Sequence, residues 1–190
     1  MNKLIGIYSP AAQSGKSFAA NVLAQHGFAS MSFAEPIKRM GAEFLMSFGY
    51  EKDQATKLVW VDKEKFVPEI GCSARFILQT LGTEWGRERI SSTIWIDSMR
   101  SRIQKAMRKD SCGVVIDDVR FENEAEMIKQ MGGEMWKVIR TSTINKSTHA
   151  SEGGLDHWAG FDRVIINDGT IQDFRNKIDE IIRDAQGQKR

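Results

Sequence analysis

Apolar positions in this chain recur in short runs separated by stretches of helical spacing. Residues 4–8 (LIGIY) form the first run, followed by 30–34 (SMSFA), 113–116 (GVVI), 135–139 (MWKVI) and 164–166 (VII). Runs of this length bounded by turn residues read as buried strands, and GVVI in particular suits a strand covered on both faces. Between them lie helix-forming segments with plausible stops, at Gly27 after the first and at Gly132-Gly133 before the fourth run. Strands alternating with helices predict βαβ units. The expectation is therefore a three-layer α/β/α domain on a five-stranded parallel sheet.

Two segments break the alternation. Residues 35–111 read as a mainly helical insertion, in which Trp95, Met99, Ile103 and Met107 keep helical spacing. The interleaved Arg100, Arg102, Lys105, Arg108 and Lys109 are expected on a solvated face. Residues 141–161 are polar and glycine-containing, and read as a lid at the C-terminal edge of the sheet. One domain spanning 1–190 is the simplest organisation. Residues from Asp184 onward read as a frayed tail.

Composition narrows the class. The chain has 190 residues and a formal net charge of +2, too small to argue for nucleic acid or an anionic membrane. Cys72 and Cys112 are far apart in sequence and are expected as reduced thiols. No apolar stretch is long enough to cross a bilayer, so the expectation is a soluble, cytoplasmic protein.

The first strand runs into Ser9-Pro10-Ala11-Ala12-Gln13-Ser14-Gly15-Lys16-Ser17 and then a helix. That is the setting of a phosphate-binding loop. Backbone N–H groups converge on an anion, Lys16 adds a positive charge, and the Ser17 hydroxyl can ligate Mg²⁺. Pro10 stands where the full pattern has its first glycine. The third strand ends in Asp117-Asp118-Val119-Arg120, at the sheet edge where such folds bind ligands. Asp118 there would hold Mg²⁺ through its waters and Arg120 would grip phosphate. The plainer alternative is Asp118 capping the helix that starts near Glu122. Arg75, Gln79 and Gly82 share one face of a helix expected over 73–85, with Ser73 as its cap and Phe76, Ile77, Leu81 and Trp85 turned inward. Pro36 is placed to start a helix carrying Lys38 and Arg39 in its first turns. His149, Glu152 and His157 match no zinc spacing.

In combination, SGKS (14–17), FAEPIK (33–38), RFILQTLGTEW (75–85), DVRFENEAE (118–126), THASEGGL (148–155) and INDG (166–169) resemble the bacteriophage-type deoxynucleoside monophosphate kinases of the P-loop kinase superfamily. The resemblance spans nearly the whole chain, and its LQ-x-LGT, D-x-R and H-x-SE-x-GL segments are specific. It implies a P-loop NTPase fold, ATP as phosphoryl donor with Mg²⁺, and a deoxynucleoside 5′-monophosphate as acceptor. Carried over by motif, Ser14, Gly15, Lys16 and Ser17 would hold ATP phosphates, and Ser17 and Asp118 the metal. Lys38, Arg75, Gln79, Gly82, Thr83, Asp118, Arg120 and Glu124 would line the acceptor pocket. Lys16, Asp118, Arg120 and the lid's Arg140 would act in catalysis. The rivals are another small-molecule P-loop kinase of the phosphomevalonate-kinase kind, a non-catalytic nucleotide-binding module, and a DNA-associated NTPase. The resemblance implies no nucleic-acid or membrane partner, and it leaves a homodimer open.

Overall fold

In a computed structural model of the chain, residues 3–11, 13–108, 112–140 and 154–187 are described. They form two compact units, one made of residues 1–32 and 100–190 and the other of Phe33–Met99.

The first unit holds the sheet. Strands β1 (Lys3–Tyr8), β2 (Phe28–Met31), β5 (Gly113–Ile116), β6 (Glu134–Ile139) and β7 (Arg163–Ile166) pair in the order β2-β5-β1-β6-β7, all parallel. The helices are α1 (Lys16–Gln25), α6 (Glu122–Gln130) and α7 (Ile171–Gly187). Alternation along β1 divides the core. Ile5 and Ile7 join a cluster with Ala19 and Leu23 of α1 and Phe174 and Ile178 of α7. Gly6 faces the other way, towards Ile128 of α6 and Met135; a Cβ there would come within 2.7 and 2.5 Å of those side chains. All four residues of β5 are buried, as its unbroken apolar run predicts.

β2 begins and ends earlier than the 30–34 run suggests. Its pairing with β5 starts at Phe28 opposite Gly113, just after the Cys112 N–H bonds the Gly27 carbonyl. Residues beyond Met31 leave the sheet because α2 (Glu35–Met46) is already starting, with proline in its first turn. The tail also differs from expectation: α7 continues to Gly187 rather than fraying from Asp184.

The second unit is helical. α2 and α3 (Lys52–Trp60) pack with α4 (Ala74–Thr80) around Leu45, Ala55, Val59, Val67, Ala74 and Ile77, beside a short β3–β4 hairpin (Phe66–Val67, Cys72–Ser73). Ser73 caps α4, its hydroxyl accepting the Phe76 N–H at 3.2 Å. The expected single helix over 73–85 is instead two: α4 gives way to a π-helix over Leu81–Ile90. Ile77 is buried and Leu81 packs half-buried against the same core, as expected, whereas Phe76 and Trp85 are exposed. α5 (Ile94–Met107) follows, with Trp95, Met99 and Ile103 buried at the predicted spacing. Its basic residues are not all solvated: the Arg102 guanidinium donates to the Ser32 carbonyl at 2.9 Å.

Asp162, just before β7, clamps the start of that edge strand to β6. Its carboxylate accepts from Met135 N–H at 2.7 Å and from the Lys129 ammonium at 2.5 Å, while its own N–H donates to the Met135 carbonyl. Burial opposes its ionisation, but the Lys129 and Met135 hydrogen bonds outweigh it and hold the carboxyl below its ordinary value of 3.8. A depressed folded-state value means the stabilisation is full above the ordinary value and is lost as pH falls through the folded one. Asp162→Asn should therefore destabilise by about 1 kcal/mol near neutral pH. Urea denaturation at a series of pH values should show that difference shrinking below the ordinary carboxyl range.

Candidate functional site

The loop between β1 and α1 is built around two unusual backbone positions. Gln13 has φ 58°, rare for a residue with a side chain, and Gly15 has φ 108°. Gly15 is the N-cap of α1, its carbonyl accepting from Ala19 N–H at 2.9 Å, so Lys16, Ser17 and Phe18 make the helix's first turn. The first N–H groups of a helix have no partner within it, and that end carries the positive pole of the helix dipole. α1 has no acidic residue in its first turn to offset that pole. A cavity of about 250 Å³ is lined by Gln13, Ser14, Gly15, Lys16, Ser17 and Phe18. The Ser14 hydroxyl is buried there with no hydrogen-bond partner among the described residues, as a group waiting for an acceptor oxygen would be. This donor set fits a polyphosphate.

Strand order places β1 between β5 and β6, so the ends of those two strands flank the loop. From the β5 side, Asp117 accepts a hydrogen bond from the Ser17 hydroxyl at 3.0 Å. From the β6 side, the Arg140 guanidinium donates to the Gln13 carbonyl at 3.4 Å. Lys16 reaches back over the loop to the Ala11 carbonyl at 3.4 Å.

The D-x-R pattern points to Asp118 as the carboxylate beside Ser17, but the residue that occupies that place is Asp117. Asp118 instead accepts from the Ser32 hydroxyl at 2.8 Å, beyond the end of β2. The N-cap position of α6 is Phe121, not Asp118. Glu124, at the third position of the helix, is buried, and its carboxylate accepts from the N–H groups of Arg120 and Phe121 at 2.9 and 3.2 Å. Arg120 itself is exposed.

The remaining expected acceptor residues lie in the helical unit. Arg75 and Gln79 are exposed one turn apart on α4, and the Arg75 guanidinium pairs with Glu64. Lys38 lies over the Trp60 ring, 5.7 Å from its centroid. Thr83 is exposed and Gly82 buried. Packing accounts for Gly82: a Cβ would meet Ile37 at 3.2 Å, and its carbonyl accepts from the Trp95 indole N–H at 2.7 Å.

Residues 141–153, including His149 and Glu152 and most of the expected lid, lie outside the described residues. The part that follows is seated on the sheet. The Tyr8 hydroxyl donates to the Asp156 carboxylate at 2.7 Å, Lys137 donates to the Asp156 carbonyl, and Phe161 stacks on Tyr8. Gly154 lies so close to Arg120 that a Cβ would come within 2.7 Å of its carbonyl oxygen. Among the described residues, no three histidines, cysteines or carboxylates cluster as a metal site. None of the described helices is long and apolar enough to cross a membrane.

A sequence profile for deoxynucleotide monophosphate kinase matches residues 50–178. A protein of Acanthamoeba polyphaga mimivirus, whose provisional name is deoxynucleotide monophosphate kinase, is 33% identical over 186 residues, covering 90% of this chain and 92% of its own. The deoxynucleotide monophosphate kinase of Escherichia phage RB69 is 30% identical over 58% of this chain and 45% of its own length. Escherichia phage T5 deoxynucleoside-5′-monophosphate kinase is 34% identical over 52% of this chain and 41% of its own. This chain thus spans less than half the length of these two phage relatives. Among solved structures, dephospho-CoA kinase from Campylobacter jejuni aligns with a TM-score of 0.53 at 16% identity, over 96% of this chain and 97% of that one. That likeness shows a shared fold, a five-stranded parallel sheet flanked by helices.

Proposed function

The chain belongs to the deoxynucleotide monophosphate kinase family, and from that premise we propose that it transfers the terminal phosphoryl group of ATP to the phosphate of a deoxynucleoside 5′-monophosphate. The observation that carries the reading is the phosphate loop itself. A cavity lined by Ser14, Gly15, Lys16 and Ser17 sits at a helix N-terminus, with Asp117 bonded to Ser17.

An acceptor phosphate is already ionised at neutral pH, so the protein needs no strong general base and works by positioning and charge neutralisation. The backbone of the loop and the Ser14 hydroxyl bind the donor's phosphates. Lys16 offsets the negative charge that shifts during transfer. Ser17 and Asp117 are the oxygen ligands suited to Mg²⁺, directly and through water. With ATP bound, the metal supplies charge neutralisation across the transferring phosphates. Arg120 and Arg140 add positive charge from the ends of β5 and β6. On the helical unit, Arg75 is the residue best suited to hold the acceptor's phosphate with two parallel hydrogen bonds, exchanging Glu64 for it. Gln79, Thr83 and Lys38 stand on the same unit to meet the rest of the acceptor. Among the described residues, no observation favours the phosphomevalonate-type, sensor or DNA-associated readings.

A coupled assay of ADP release, with ATP and each of the four deoxynucleoside monophosphates in turn, tests the reading. Acceptor-dependent ADP release is the expected result; release that ignores the acceptor would refute it.

The two adjacent aspartates separate by mutation. Asp117→Asn should lower activity about 10- to 100-fold, the usual loss when a group that orients a metal ligand is neutralised. Asp118→Asn should be milder, because an amide oxygen still accepts from Ser32. Steady-state kinetics over a range of Mg²⁺ concentrations should show excess metal rescuing part of the Asp117→Asn loss. A larger defect at Asp118 would return the metal role to that residue.

A further inference from the structure

Ile166-Asn167-Asp168-Gly169 leads out of the last strand, yet nothing in the proposed reaction uses it. Its second residue continues the β6–β7 pairing by one rung, with the Asn167 N–H donating to the Ile139 carbonyl at 2.7 Å. That rung brings the side chain to the phosphate loop, where its amide donates to the Ser14 carbonyl at 2.9 Å. The preceding loop carbonyl, on Gln13, is held by Arg140. Two consecutive carbonyls of the loop are thus tied from outside, by donors at the ends of adjacent strands.

These ties fall where the loop's backbone is least ordinary. Gln13 sits in the left-handed region without being glycine, a conformation that residues with a side chain rarely adopt. Gly15, two residues on, packs against Asn167 so closely that a Cβ would come within 2.8 Å of the amide nitrogen. Phe174 closes the same spot, 2.9 Å from that Cβ position. Pro10, in place of the loop's first glycine, also offers no N–H of its own.

We propose that Asn167 is a positioning residue of the phosphate loop: by holding the Ser14 carbonyl it keeps the Gln13–Gly15 turn in the conformation that receives a triphosphate. The inference rests on the ATP reading above. Asn167 acts through the backbone of Ser14 and Gly15 and takes no part in the transfer. The rest of the motif has other partners: Asp168 accepts from Lys177 at 2.8 Å, and Lys177 also donates to the Ile166 carbonyl. Those contacts brace the same turn without touching the loop, which makes Lys177 the natural control.

Calorimetric titration of the full chain with ATP, on the wild type and the Asn167→Ala, Asn167→Asp and Lys177→Ala variants, tests the proposal without relying on turnover. Asn167→Ala should weaken ATP binding about five- to tenfold, the loss of one well-made hydrogen bond. Asn167→Asp keeps the shape and the packing on Gly15 but has no donor, so it should lose at least as much. Lys177→Ala should bind ATP within twofold of wild type, and KM for the acceptor should be unchanged in all three variants. ATP affinity at the wild-type level in Asn167→Asp would overturn the proposal. So would an equal loss in Lys177→Ala, or a parallel rise in acceptor KM, since either would mean general loosening. A wild type that binds ATP but phosphorylates none of the four acceptors would refute the kinase reading, while the titrations still decide the role of Asn167.

Discussion

Lys16→Ala should lower kcat by about 10²- to 10³-fold, the usual loss when one fixed electrostatic stabiliser of a transition state is removed. Lys16 is the first residue of α1, and its ammonium lies over the loop near the Ala11 carbonyl. Alanine suits a helix start as well as lysine does. The helix is anchored by the buried Ala19, Ala20, Val22 and Leu23, which the substitution leaves in place. The variant should therefore keep the wild-type circular dichroism and melting temperature while losing turnover at saturating ATP and acceptor. Near-normal kcat in a folded Lys16→Ala would remove the loop from the reaction.

Arg75→Ala should cut kcat/KM for the acceptor by on the order of 2–4 kcal/mol, much of it from a phosphate left without its partner. ATP affinity should change little, because the ATP-loop residues belong to the sheet unit and Arg75 to the helical one. Arg75 is exposed and its ion pair with Glu64 is a surface one, so its loss should hardly affect stability. Arg75→Lys should recover only part of the activity, since an ammonium is a point charge and cannot reproduce the guanidinium fork. Calorimetry with ATP and steady-state kinetics against the acceptor, on the same preparations, separate the two effects. Equal damage to both substrates would make Arg75 structural; no damage to either would take α4 out of the site.

The sheet was legible because its signal is redundant. Each strand is a short apolar run and each helix between strands has a stop, so shifting β2 by two residues leaves the topology unchanged. The phosphate loop was legible for a related reason: Gly15-Lys16-Ser17 follows the first strand directly, and few other arrangements need that order. The helical unit was harder. A change from α- to π-helical bonding at Leu81 is invisible to a pattern counted at 3.6 residues per turn, and helical spacing alone does not say that Phe76 and Trp85 are the apolar residues left exposed. Glycine was ambiguous too, because Gly82 reads equally as room for a ligand or room for Ile37. The two aspartates show a finer limit. Asp117 and Asp118 are neighbours with the same chemistry, and only the path of the chain beyond β5 decides which one meets Ser17. Asn167 stands out in the sequence only as part of a polar turn after the last strand. Its partner, a backbone carbonyl more than a hundred residues away, leaves no trace in the sequence.

Transfer between two nucleotides is observed directly by phosphorus NMR of the wild-type protein with ATP, Mg²⁺ and each of the four deoxynucleoside monophosphates in turn. With at least one acceptor, the monophosphate signal should be replaced by the paired signals of its diphosphate, with ADP appearing in equal amount. ADP accompanied only by inorganic phosphate, with all four acceptors unchanged, would contradict the proposed transfer.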